Sequence, residues 1–235
     1  YRAGDQVKGA TADEAKAIID AIAPLHAKFW GKTDDPQFAK MMRIDTNYRE
    51  SFPPSVEGTW QPALANFGEV VPESVKQRLP QYVANIRDLM TLMGKRTQTV
   101  VHGDVRTDNA MYGDGKPGLA PVVMLDWQAI MVSNPLQDLA WMLIASMTTD
   151  LRRKHEDELV RYYHAALQRN GVKNYSIEQC FEDYDVALLF QFSYPVIIAG
   201  AFDPANERGK ALAVEGLRRA ALTVEDRNLF RFLPN

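Results

Sequence analysis

Apolar residues recur at helical spacing through most of the first part of the chain. Ile18, Ile22, Leu25 and Phe29 fall on one stripe, and Thr11 with Glu14 three residues later forms a capping box ahead of it. Val75, Leu79, Val83, Ile86, Met90 and Met93 make a second stripe, in which Pro80 is expected to kink or restart the helix. From Lys32 to Pro72 the text is broken by Pro36, Pro53, Pro54, Pro62, Gly58 and Gly68, which predicts short helices joined by loops. The period changes at Thr97. Thr99-Val100-Val101 and Ala110-Met111-Tyr112 are β-prone, Gly113 to Gly118 is a turn, and Pro121 to Leu125 is a further apolar strand. Helices return after Asn134-Pro135: one through Trp141, one from about Leu151 to Gln168, one capped by Ser176 with Gln179, and one after Pro204. The opening residues Tyr1 to Asp5 look like a turn. The expected layout is α+β and mainly helical, with one small central β patch and no internal repeat.

The uncharged stretch between Asp185 and Asp203 is interrupted by Gln191, Ser193 and Pro195 and is shorter than the roughly 20 apolar residues of a membrane span. It reads as a buried helix, and the chain as having no membrane partner. The chain has 235 residues, 46% apolar and 24% charged, which fits one large or two small globular domains and excludes disordered and fibrous classes. A net charge of −3 gives no field that would draw in nucleic acid. Cys180 stands alone and reads as an inert buried thiol, so a reducing, cytoplasmic setting is expected.

One dense polar constellation sits in the β patch: His102-Gly103-Asp104-Val105-Arg106-Thr107-Asp108-Asn109, followed after the hairpin by Leu125-Asp126-Trp127-Gln128. An acid, an amide oxygen five residues on and a second acid beyond a hairpin suit phosphoryl transfer, which needs positioning and charge neutralisation more than covalent chemistry. One carboxylate can take the proton of an attacking hydroxyl. A second carboxylate and a neutral amide oxygen can hold magnesium against nucleotide phosphates.

This text resembles the aminoglycoside phosphotransferase and choline-kinase-like enzymes, relatives of protein kinases. The matching segments are Val101-His102-Gly103-Asp104 with Asn109, Leu125-Asp126-Trp127, and Pro135-Leu136-Gln137-Asp138-Leu139-Ala140-Trp141. Leu25-His26-Ala27-Lys28-Phe29-Trp30 is similar to the helix before the catalytic loop in bacterial members, including the ecdysteroid-kinase-like ones. The resemblance implies a protein-kinase-like C-terminal lobe with a small β hairpin carrying the catalytic loop, acting with ATP and Mg2+ on a hydroxyl of a small molecule. It places Asp104 as the catalytic base, Asn109 and Asp126 as magnesium ligands that also serve the nucleotide, His102 as a loop-shaping residue and Asp138 as the acid that ties the loop down. Arg106 falls where protein kinases often place a lysine near the transferred phosphate, and pairing with Asp108 or solvent is the alternative.

Such kinases hold ATP with a β lobe bearing a glycine-rich turn and a strand lysine. No Gly-x-Gly precedes residue 113, and no β-rich segment precedes the first helix. Residues 1–235 are therefore expected to be the acceptor-binding lobe of a longer enzyme, the N-terminal nucleotide-binding lobe of the same protein being its partner. The rival is a pseudokinase-type binding or regulatory module; intact Asp104, Asn109 and Asp126 argue against it. A metal-dependent phosphatase on His102, Asp104 and Asp126 lacks the further ligands of a two-metal centre. The acceptor could be an aminoglycoside, choline, a sugar, an amino-acid alcohol or a lipophilic alcohol; the stretch Leu188 to Phe202 with Trp60, Tyr162 and Tyr163 suggests a hydrophobic part. His26, His155 and His164 read as helix residues without ligand partners, Asp108 and Asp114 as turn or surface residues, and Arg152 to Glu158 as a solvated helix face.

Overall fold

Thr11 starts the first long helix as its sequence requires: its hydroxyl accepts the Glu14 N–H, and the Glu14 carboxylate accepts the Thr11 N–H. The helix, α1 (Ala12–Phe29), buries Ile18, Ile19 and Ile22 in the main core, while Leu25 and Phe29 pack on a separate small cluster of Phe38, Val100 and Val132. The computed structural model describes residues 1–202 and 207–233. The remaining helices are α2 (Asn47–Ser51), α3 (Pro53–Phe67), α4 (Glu73–Ala84), α5 (Ile86–Gly94), α6 (Leu136–Ser146), α7 (Thr149–Arg169), α8 (Ile177–Gln191), α9 (Ser193–Gly200) and α10 (Glu207–Asp226). The fold is mainly helical, with few and short antiparallel strands.

Every residue of α6 is buried. That helix is the axis of the molecule, with α1, α7, α8 and α10 packed round it and α3 against α9 to one side. Among the described residues no helix is long and apolar enough to cross a membrane. The uncharged stretch after Asp185 forms the end of α8 and then α9, which break at Phe192 and are not one continuous helix.

The strands form two small sheets, where the sequence suggested one patch. β1 (Arg2–Ala3), β3 (Ala110–Tyr112) and β4 (Val122–Met124) make an antiparallel set in the order β1-β3-β4; β2 (Thr99–Val101) pairs with β5 (Met131–Ser133). The chain leaves the second sheet on β2, crosses to the first on β3, turns, and returns from β4 to β5. Both crossings carry motif residues, 102–109 outward and 125–130 on the return. Gly103 is one point where they touch: it has a φ of 86°, and a Cβ there would be driven into the Ala129 carbonyl.

Three further expectations are corrected. Arg2 and Ala3 are strand and not turn, pairing with Tyr112 and Met111. Helix α4 runs through Pro80 and stops at Asn85, whose side-chain amide donates to the Gln81 carbonyl at 2.9 Å and competes with the helical ladder. The run from Arg152 to Glu158 is only partly solvated: Arg152 is 2% and Glu156 5% exposed. Arg152 pairs with Glu156 and Asp226, and Arg227 pairs with Glu156 and Asp185, because α8 and the end of α10 press complementary charges against α7.

Candidate functional site

Asp138, in the first turn of α6, fixes the backbone of the outward crossing. Its two carboxylate oxygens accept the His102 N–H at 2.7 Å and the Gly103 N–H at 2.9 Å. The ring of His26 from α1 lies 3.0 Å from the same carboxylate and 2.7 Å from the Tyr163 hydroxyl of α7. A carboxylate can only accept, so Nε2 of His26 carries a proton towards Asp138, while Nδ1 meets the Tyr163 hydroxyl. Burial pushes the Tyr163 phenol well above its ordinary pKa, so it stays protonated. His26, expected to have no ligand partner, is a fully buried brace behind the loop with both ring nitrogens hydrogen-bonded, and the signal for that was a histidine on an otherwise apolar stripe of α1.

His102 shapes the loop with its side chain. Nδ1 accepts the Asp104 N–H at 3.2 Å, so Nε2–H donates to the Leu125 carbonyl at 2.9 Å on the return crossing. The Trp127 ring covers the imidazole at 4.4 Å between centroids. The Leu125 N–H donates to the Asn109 carbonyl at 2.8 Å, which brings the residue before Asp126 against Asn109.

Asp104 is half-buried, and three N–H donors converge on it. Trp141 Nε1 donates to Oδ1 at 2.8 Å, Asn109 Nδ2 to Oδ2 at 2.9 Å, and Arg106 Nε lies at 3.1 and 3.0 Å from the two oxygens. Arg106 thus pairs with Asp104 itself; Asp108 is at 3.8 Å and the Gln6 side-chain oxygen at 3.2 Å. Asp108 in turn accepts the Gln6 N–H at 2.6 Å and ties the opening segment to the site, while Asp114 pairs with Arg2 and ties that segment to the hairpin turn. Asp126 is exposed and left-handed at φ 60°, ψ 66°, a conformation uncommon for a residue with a side chain and a sign of imposed geometry.

A cavity of about 400 Å3 opens beside Asp104, lined by Gln6, Arg106 and Trp141, by Tyr194, Pro195 and Ile198 of α9, and by Leu212 and Gly216 of α10. Tyr48 from α2 bonds its hydroxyl to that of Tyr194 at 2.8 Å and separates this cavity from a smaller one, about 210 Å3, on the Met131 side. Burial raises the pKa of both phenols, so they stay protonated. Of the aromatics and apolar stretch considered for an acceptor pocket, only part of Leu188 to Phe202 lines it. Trp60 packs on the core, Tyr162 donates to Asp20 on the surface, and Tyr163 is behind the loop. Gln6, Tyr48 and Leu212 carried no local motif. Only the tertiary fold brings them here.

Asn109 turns its amide N–H groups to Asp104, leaving its carbonyl oxygen as the atom with affinity for a hard cation, and the Asp126 carboxylate is a second hard oxygen donor on the neighbouring crossing. Among the described residues no group of three His, Cys, Asp or Glu side chains could hold a metal unaided. That donor set fits magnesium, which takes one or two protein oxygens and fills its shell with phosphates and water. Cys180 is buried, with burial pushing its thiol up to about 12. No curated protein matches the chain. The ecdysteroid kinase-like family model matches residues 1–174, a span that contains His26, both crossings and Asp138; the chain belongs to this family of kinase-like small-molecule phosphotransferases.

Proposed function

We propose that this chain transfers the terminal phosphoryl group of ATP, with magnesium, to a hydroxyl of a small molecule that has an apolar, uncharged body. The observation that carries the reading is the Asp104 carboxylate, oriented by three N–H donors on the lining of a cavity, with Asn109 and Asp126 at neighbouring ends of one hairpin. Magnesium, held by the side-chain Oδ1 of Asn109 and the Asp126 carboxylate, would neutralise phosphate charge. Asp104 would accept a hydrogen bond from the acceptor hydroxyl and take its proton as the oxygen bonds to the γ-phosphorus and the bond to the bridging oxygen breaks. Gly103 and Ala129 allow close approach beside it. The adenine contacts would come from a β lobe outside these 235 residues, so tests belong in the full-length protein.

The acceptor's apolar character is supported by Tyr48, Trp141, Tyr194, Pro195, Ile198 and Leu212 along the walls; among the described residues Asp104 is the one acid on the lining, and Arg106 already neutralises it. A polycationic acceptor finds little to hold it there. Asp104→Asn keeps size but cannot take a proton, so turnover should fall by about 10²- to 10⁴-fold with magnesium-ATP affinity nearly unchanged. Asp126→Asn should raise the magnesium requirement as well as lower turnover. Equal losses of metal affinity in both variants, or full turnover in Asp104→Asn, would remove the assignment. A panel of alcohols in which polycationic aminoglycosides alone are phosphorylated would remove the apolar acceptor.

A further inference from the structure

We infer that Trp141 is a positioning residue for the reaction: its indole N–H sets the direction of the Asp104 carboxylate while its ring forms part of the acceptor wall. The inference rests on the reading of Asp104 as the base.

Asp138 and Trp141 stand three residues apart on α6, which places them on one face of that helix. Asp138 holds the loop backbone through the His102 and Gly103 amides. Trp141 holds the side chain that projects from the next residue. One wholly buried helix thus fixes both ends of the Asp104 geometry. Because the helix cannot shift without opening the core, the constraint is rigid.

The three donors to Asp104 differ in how firmly they are held. Arg106 is a long, half-exposed side chain whose Nε lies between the two carboxylate oxygens, and its guanidinium also reaches Gln6. Asn109 approaches Oδ2 from the loop itself and would move with it. Trp141, 5% exposed, approaches Oδ1 from outside the loop, on a separate element. A carboxylate oxygen has two lone-pair directions; Trp141 takes one on Oδ1, Asn109 one on Oδ2, and the single Arg106 Nε–H is shared between the two oxygens. An acceptor hydroxyl that approaches between the oxygens takes the place of that shared N–H. The bridging, solvent-reaching Arg106 can yield; the buried indole cannot. With Trp141 fixed on Oδ1 and Asn109 on Oδ2, the direction from which a hydroxyl can reach the carboxylate is the one Arg106 vacates, at the cavity.

The same indole stacks at 5.5 Å from the Tyr194 ring, and Tyr194 bonds to Tyr48. The wall that an apolar acceptor touches is thereby continuous with the donor that aims the base. Acceptor position and base direction are then set by one side chain.

Trp141→Phe keeps a ring in the wall and deletes the N–H. In the full-length protein, using magnesium-ATP and whichever alcohol of the panel the unmodified protein phosphorylates fastest, kcat should fall about 10- to 100-fold with KM within about threefold. Trp141→Ala should raise KM as well. A structural role alone would lower the melting temperature of Trp141→Phe and leave kcat unchanged, and that result would overturn the inference. Asp104→Asn run beside it separates the two readings: full turnover in that variant removes the base, whereas loss there with none in Trp141→Phe removes only the role of Trp141. Should Trp141→Phe fail to fold, 15N spectra of the indole N–H groups give a second reading. Asp104→Ala should move one indole resonance upfield, and Asp114→Asn on the distant turn none. An unmoved spectrum in Asp104→Ala also overturns it.

Discussion

Gly103 shows most directly how a single residue governs the site. Its left-handed backbone and its approach to the Ala129 carbonyl leave no room for a methyl group, so Gly103→Ala must either push the two crossings apart or twist the loop. A loss of about 2 kcal/mol or more is expected, read as a fall in the denaturant midpoint, together with loss of turnover. Full stability with intact turnover would mean that the crossings are not held in register here. Asp126 is the opposite case, a residue with a side chain in the same region of backbone space. Asp126→Gly should therefore fold at least as well as the unmodified chain while its turnover falls and the magnesium concentration it needs rises, a separation of stability from function measurable by thermal melting beside a magnesium titration.

Among the elements, α1 and α6 act as a pair, and His26 is their joint. Replacing His26 by Leu fills the space but leaves the Asp138 carboxylate and the Tyr163 hydroxyl each short of a partner in a dry core. The expected cost is about 3 kcal/mol, near that of breaking a buried charged contact, and the outward crossing should lose amide-exchange protection at His102 and Gly103 before the rest of the molecule does. Uniform loss of protection would show that the brace serves general packing. How far such elements were legible depends on what specifies them. The starts of α1 and α8 were readable because Thr11 with Glu14 and Ser176 with Gln179 satisfy helix ends within four residues of chain. β1 and β5 were not, being two or three residues long and defined by partners more than a hundred and about thirty residues away. The spacing of Asp104, Asn109 and Asp126 was readable, and the fold brings the two crossings that carry them together. Tyr48, Tyr194 and Gln6 were not, since each lies on an element whose own pattern only says helix or loop.

Across the whole molecule, charge is used at the seam where α7, α8 and α10 meet. Burial raises the Asp226 carboxyl, but the Arg153 and Arg152 guanidiniums outweigh it and hold the group below its ordinary 3.8. A depressed folded pKa gives stability that is present above the unfolded value and lost as pH falls through the folded one. Melting temperature should therefore drop as the solution is acidified below about pH 4, and Asp226→Asn should be less stable at pH 7 with a flatter acid limb. An unchanged acid limb in that variant would place the sensitivity elsewhere.

Helix α10 reaches the site as well as the seam. Arg219 donates to the carbonyls of Gln6, Val7 and Ala145, and Leu212 and Gly216 line the cavity. The opening segment, which supports Arg106 through Gln6, is thus fastened by a residue translated more than two hundred positions later. On the ribosome every motif of the two crossings emerges well before that fastening can form. A nascent chain released before α10 would carry every motif of the two crossings and an open, unfinished pocket, so the timing of synthesis itself withholds the proposed acceptor site until α10 arrives.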